Sequence, residues 1–230
     1  MRKIMKNLLI ASTAIAVAGP AFADKKCGIP AATVETVQSK LAVVVASGNG
    51  GIFTPNRMWS AVVDREGVLC SVIKIGDAWP GSRAISIAKA GTANDFSNDG
   101  LPLSTANLYS ATQPGGSLYG LNNSNPFNPD FLPQKKGEGD VAGGIITFGG
   151  GVPLYIGGKV IGGLGVSGDS ACADHVIAYR MRALSALTGG IPGGVGYAGT
   201  DDILYLAAAE SPNGFKHPHC FPSDLPPGSY

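Results

Sequence analysis

The sequence predicts an α+β fold, and three observations carry that expectation. Two apolar runs, MWSAVV (58–63) and VLCSVIKI (68–75), flank the turn Asp64-Arg65-Glu66-Gly67, which is the pattern of a β-hairpin. Later, IITF, VPLYIGG and KVIGGLGVSG supply two or three more short strands with Gly-rich turns. Segments with helical spacing stand before, between and after these strands, so strands adjacent in sequence pair antiparallel and are faced by helices.

In chain order, MRKIMKNLLIASTAIAVAGPAFA has a basic start (Arg2, Lys3, Lys6), an apolar core over 8–19 and an Ala21-Phe22-Ala23 cleavage site. Residues 1–23 therefore read as a secretory signal peptide, with one domain over 24–230. The apolar core is too short for a comfortable bilayer span, so no stable membrane insertion is expected after cleavage. Residues 31–47 carry apolar side chains at helical spacing, and Gly48 and Gly50 end the helix. After the hairpin, Pro80 and Gly81 break the strand, and Ser82 caps a helix over about 83–97 with Ile85, Ala88, Thr92 and Phe96 along one face. The segment 98–142 is dense in Asn, Pro, Gly and Ser; a loop this long in a compact domain points to a site or an interface. CADHVIAYRMRALSAL (172–187) is strongly helical, DDILYLAAA (201–209) suits an edge strand, and the tail at 210–230 is irregular.

Composition narrows the function. With 34 Gly, 16 Pro and 14% charged residues, the chain is rich in turns, yet its aliphatic content is that of a folded domain. The formal charge of +1 falls to −2 when the three basic residues of the leader are removed. That near-neutral surface offers no footprint for nucleic acid. Four cysteines in an exported chain favour two disulfides, with three pairings open. No C-x-x-C occurs, which excludes a thioredoxin-type motif and covalent c-type haem attachment.

IGGLGVSG contains a GxGxxG, at Gly163, Gly165 and Gly168. A dinucleotide fingerprint needs these glycines after the first strand of a βαβ unit, with a carboxylate about 20 residues on. Here they come late, and the chain near 188 reads LTGGIPGG, so the glycines serve close backbone approach instead. In SGDSACADH, Ser167 or Asp169 can cap a helix whose dipole Asp174 suits, with His175 beside it. His217, His219 and Cys220 form a metal-ligand fragment that lacks a fourth ligand. Arg83 and Lys89 lie on neighbouring helical faces, as a carboxylate-binding or a solvated pair. No GxSxG or HExxH is present, and the residues assign no catalytic group.

Three ordered blocks, AVVDREGVL, SRAISIAKAGTANDFS and GGVPLYIGGKVIGGLGVSGDSACADHVIA, resemble the GlcG/HbpS-like haem-binding family over about 31–187. The matching positions are Asp64 and Gly67; Arg83, Lys89 and Ala90; and Gly150, Pro153, Gly162, Gly165, Ser167, Gly168 and Asp174. The resemblance implies a profilin-like antiparallel sheet of about five strands with helices on both faces. It also implies binding of haem or a related tetrapyrrole, and homo-oligomers. The leader, cysteines and tail resemble an exported subgroup, for which the expected pairs are Cys27–Cys70 and Cys172–Cys220. The second pair would bring His217 and His219 toward His175.

On this resemblance the chain is a periplasmic or secreted, non-covalent haem-binding protein for sensing, storage or handling. His175 is the first candidate for the iron, followed by His217 and His219, with Arg83 or Lys89 on a propionate and Asp174 nearby. One alternative is a periplasmic enzyme or accessory subunit of an oxidation pathway that binds a small carboxylate or alcohol, with Asp174-His175 as acid and base. The other is a structural oligomer without ligand.

Overall fold

The computed structural model describes residues 26–129, 139–207 and 214–230. The leader at 1–23 lies outside them, as do parts of the long loop and of the tail. Helix α1 (Ala31–Val45) precedes the hairpin of β1 (Met58–Asp64) and β2 (Leu69–Ile75). Helix α2 (Ser82–Asp95) and the single turn α3 (Tyr109–Thr112) follow. The chain then enters β3 (Gly151–Ile156), β4 (Lys159–Ser167) and α4 (Ala171–Leu184). The sheet is antiparallel throughout, in the order β2-β1-β4-β3.

Both hairpin turns follow from local chemistry. Gly157 and Gly158, at φ 57° and 77°, make the two-residue link from β3 to β4 that suits the sheet's twist. Between β1 and β2, Asp64 Oδ1 accepts from the amides of Glu66 and Val68, and Gly67 adopts φ 80°.

Alternation along the strands divides the core. Met58, Val62, Leu164, Val166, Val152 and Leu154 point toward α1 and α4, where Val37, Leu41, Ile177 and Met181 meet them. The opposite face, Ala61 and Val63, packs on Ile87 and Ala90 of α2. Cβ atoms added at Gly163 and Gly165 would collide with the backbone of Ala90 and Ser86, and one at Gly151 with that of Lys89. Gly163 and Gly165 of the GxGxxG thus let α2 lie directly on the sheet, while a Cβ at Gly168 would meet the Arg57 carbonyl.

Four strands form where about five were expected. The run 145–148 crosses α2 instead of pairing; the Ile146 amide donates to Thr92 Oγ1. The run 201–207 makes one isolated bridge, Tyr205 to His217. Neither finds a free sheet edge. The Tyr155 amide at the β3 edge donates to Leu187 O, and the β2 edge is met by 139–140 through Leu69. Helix α2 also differs from a one-faced helix, since its buried positions include 86–90 and 92–94. Arg83 and Lys89 are both buried, so they are not a solvated pair.

Candidate functional site

The expected site residues converge where α4 begins. Ser170 caps the helix, its Oγ accepting from the Ala173 amide at 3.1 Å. One turn in, Asp174 Oδ2 receives Lys89 Nζ at 2.7 Å and Oδ1 accepts from the Asp169 amide at 3.0 Å. Lys89 also donates to Val166 O and lies 4.8 Å from the centre of the Phe148 ring. Burial pushes the Asp174 carboxyl up to about 6, against the pull of Lys89, and it lowers the Lys89 ammonium. The pair is a closed internal ion pair. Gly149 and Gly150 pass directly over it. A Cβ at Gly150, itself at φ 124°, would sit 2.7 Å from Lys89 Nζ, and one at Gly149 would sit 3.0 Å from His175 Cβ.

The tail covers this corner. Two disulfides form, Cys27–Cys70 and Cys172–Cys220, the pairing implied by the exported subgroup. The second joins the first turn of α4 to the tail, and Ser170 Oγ donates to Asp224 nearby. His217 is 2% exposed and its ring lies 4.9 Å from that of Tyr109. Its Nδ1 donates to Pro218 O at 2.7 Å, and its Nε2 accepts from the Gly149 amide at 3.2 Å. Burial holds this imidazole down to about 4, so it is neutral at pH 7.

His175 is fully buried. Its Nε2 lies 3.1 Å from Asp202 Oδ1 and 3.0 Å from the Ile203 amide, while Nδ1 has no hydrogen-bond partner among the described residues. Asp202 also accepts from the Gly228 amide and the Tyr230 hydroxyl, so it ties the chain terminus to α4. His219 alone of the three histidines is exposed, and its ring meets Tyr205 edge-on at 4.6 Å. The Tyr205 hydroxyl has no partner among the described residues. Arg83 is buried at the start of α2.

The structure thus gathers Lys89, Asp174, His175 and His217 and leaves His219 exposed, outside that interior. A cleft of about 350 Å³ beside Asp64, Arg65 and Ile161 and one of about 310 Å³ beside Cys27, Val34 and Cys70 are lined by none of the six expected residues. Sequence reasoning missed Asp202 and Tyr230, and it offered Ser167 or Asp169 as the cap that Ser170 provides; Asp169 instead holds the Ile52 and Phe53 amides across the fold. No local signal marks the contact of Asp202 with His175 and Tyr230, because it joins residues far apart in sequence.

Residues 54–183 match the family model described as haem degrading protein HbpS-like. The match contains Lys89, Asp174 and His175; the tail with His217 and His219 lies beyond it. An uncharacterized 15.0 kDa protein of Citrobacter freundii, from the dhaT-dhaS intergenic region, is 36% identical over 118 residues, covering 51% of this chain and 68% of that protein. The corrinoid adenosyltransferase PduO of Citrobacter freundii is 34% identical over 123 residues, 54% of this chain but only 30% of PduO. Among solved structures, a PduOC:heme complex covers 68% of this chain and 94% of its own at 26% identity, with a TM-score of 0.52.

Proposed function

Since the chain belongs to the HbpS-like family, we propose that it is an exported protein that binds haem non-covalently, for sensing, storage or handling in the periplasm. The two disulfides fit an oxidising compartment and the leader at 1–23 fits export. The heme complex of a similar fold and the family description support the choice of ligand.

The interior does not fit a haem as it stands. His175 and His217 are packed, and His217 uses both ring nitrogens. Lys89 and Asp174 neutralise each other, and Arg83 is buried, so none of the three is presented to a propionate at the surface. The tail surface does fit. His219 is the observation that carries the reading: it is the one exposed histidine of the three, and the Tyr205 ring packs edge-on against it. Phe215 and Phe221, 40% and 41% exposed, offer apolar surface on the same tail segment. We assign the iron to His219, with Lys89, Asp174, His175 and His217 as the scaffold that holds the tail. Haem bound there supplies a redox-active iron. The protein supplies the imidazole, an apolar seat and a rigid base. Self-association into a homo-oligomer belongs to the same proposal.

A haem titration of the oxidised mature protein, followed by absorbance, tests this. A saturable Soret shift that His219→Ala weakens at least tenfold is expected. A shift unchanged by His219→Ala and abolished by His175→Ala would move the iron to the interior.

A further inference from the structure

The corner joined by Cys172 and Cys220 holds a second set of ligand atoms. The two sulfurs and a ring nitrogen of His217 all lie within 4.8 Å of one another. We propose that reduction of this disulfide converts the corner into a Cys₂His site for a borderline-soft divalent cation such as Zn²⁺. The reading is independent of haem, which is assigned to His219.

Three features favour it. First, the backbone spacing suits a metal. The Cα atoms are 6.0 Å apart. Tetrahedral zinc needs its sulfurs roughly 3.8 Å apart, given Zn–S bonds of about 2.3 Å, a separation that side-chain rotation can supply. Second, the corner stabilises thiolates. Cys172 lies in the first turn of α4, where the helix dipole favours an anion, and its amide already points at Cys220 Sγ from 3.2 Å. Third, the accessible sulfur is the right one to attack. Cys220 is half-buried and Cys172 fully buried, so an incoming thiolate meets Cys220 and expels the Cys172 thiolate at the helix terminus.

The chemistry balances with a protein dithiol as reductant. It donates two electrons and two protons, is itself oxidised to a disulfide, and leaves two thiols here. Metal binding then releases their protons to solvent as the sulfurs bind. His217 contributes Nε2, the ring nitrogen that carries the lone pair, by giving up the Gly149 amide, while Nδ1 keeps its proton on Pro218 O. Three protein ligands leave a fourth position open, as in catalytic rather than structural zinc sites. The other disulfide corner, Cys27, Asp64 and Cys70, is less suited. Its carboxylate accepts from three backbone amides, at Gly28, Glu66 and Val68.

Cobalt(II) is the probe, since thiolate coordination gives it a charge-transfer band. Mature protein is titrated with Co²⁺ before and after reduction by a phosphine, with circular dichroism as the check on folding. The expected result is one Co²⁺ per chain with thiolate bands in the reduced protein alone. The band should survive Cys27→Ser/Cys70→Ser, and His217→Gln should weaken binding at least tenfold. Should reduction unfold the chain, added Co²⁺ is expected to restore the fold. Absence of the thiolate band in a folded reduced chain, binding indifferent to His217→Gln, or an unfolded reduced chain that Co²⁺ does not rescue would each overturn the proposal.

Discussion

Acid should loosen the tail through His217, and the size of the effect can be worked out. In the folded protein the ring is surrounded by Gly149, Pro218 and Tyr109, with the charges of His175 and Lys89 opposing its protonation. Its burial lowers it from 6.5 to about 4, the Pro218 hydrogen bond pulling slightly the other way. Between those values the unfolded chain binds the proton and the folded chain does not, so stability rises with pH. The contribution is complete above about pH 6.5 and is lost as pH falls toward 4. Each tenfold difference in proton affinity between the two states is worth about 1.4 kcal/mol, so going from pH 7 to about pH 4.5 removes about 2 kcal/mol. Asp174, held up near 6, acts with the opposite sign in the same window, because the folded state gains as it takes up that proton. The comparison must therefore be with His217→Gln, which retains the Asp174 contribution. Urea denaturation at the two pH values should show the wild type losing about 2 kcal/mol more than the variant. Parallel losses in the two proteins would refute the argument that this buried neutral ring holds the tail.

Substitutions at two glycines should separate close packing from mere glycine content. Gly165→Val places atoms against the Ser86 carbonyl and the Ala90 amide and should cost about 3 kcal/mol or prevent folding, whereas Gly91→Ala, on the half-buried side of α2, meets nothing within 4 Å and should stabilise by up to ~1 kcal/mol. Midpoints of denaturant unfolding check both. Lys89→Met leaves the Asp174 carboxylate buried without its cation and should cost about 3–5 kcal/mol, while Lys89→Met/Asp174→Leu should recover part of that loss in the same assay.

What could be read from the sequence was what local chemistry determines. Helices α1, α2 and α4 and the β1–β2 hairpin follow from periodicity and punctuation by Gly48, Pro80 and Gly67, so their positions emerge within a few residues, although α4 is capped by Ser170 and not by Ser167 or Asp169. The close-approach reading of Gly163 and Gly165 also holds, although only the fold shows that α2 is what approaches. Strand propensity misleads at 145–148 and 201–207, because a strand needs an edge and both edges are already taken. The site was half legible. Asp174, Lys89 and His175 stand in recognisable blocks, yet which charge meets which depends on the α2–β4 packing. Asp202 carries no motif, and its bonds to His175, Gly228 and Tyr230 exist only once the tail has folded back.

The most direct test of the account is to watch where a ferric haem sits. Paramagnetic broadening in the amide NMR spectrum of the haem-loaded, oxidised protein reads this residue by residue. Signals around His219 and Tyr205 should vanish first, while those of Lys89, Asp174 and His175 persist behind an intact tail. Broadening centred on His175 and Gly149, with the signals of the tail displaced, would contradict it and place the iron inside the fold.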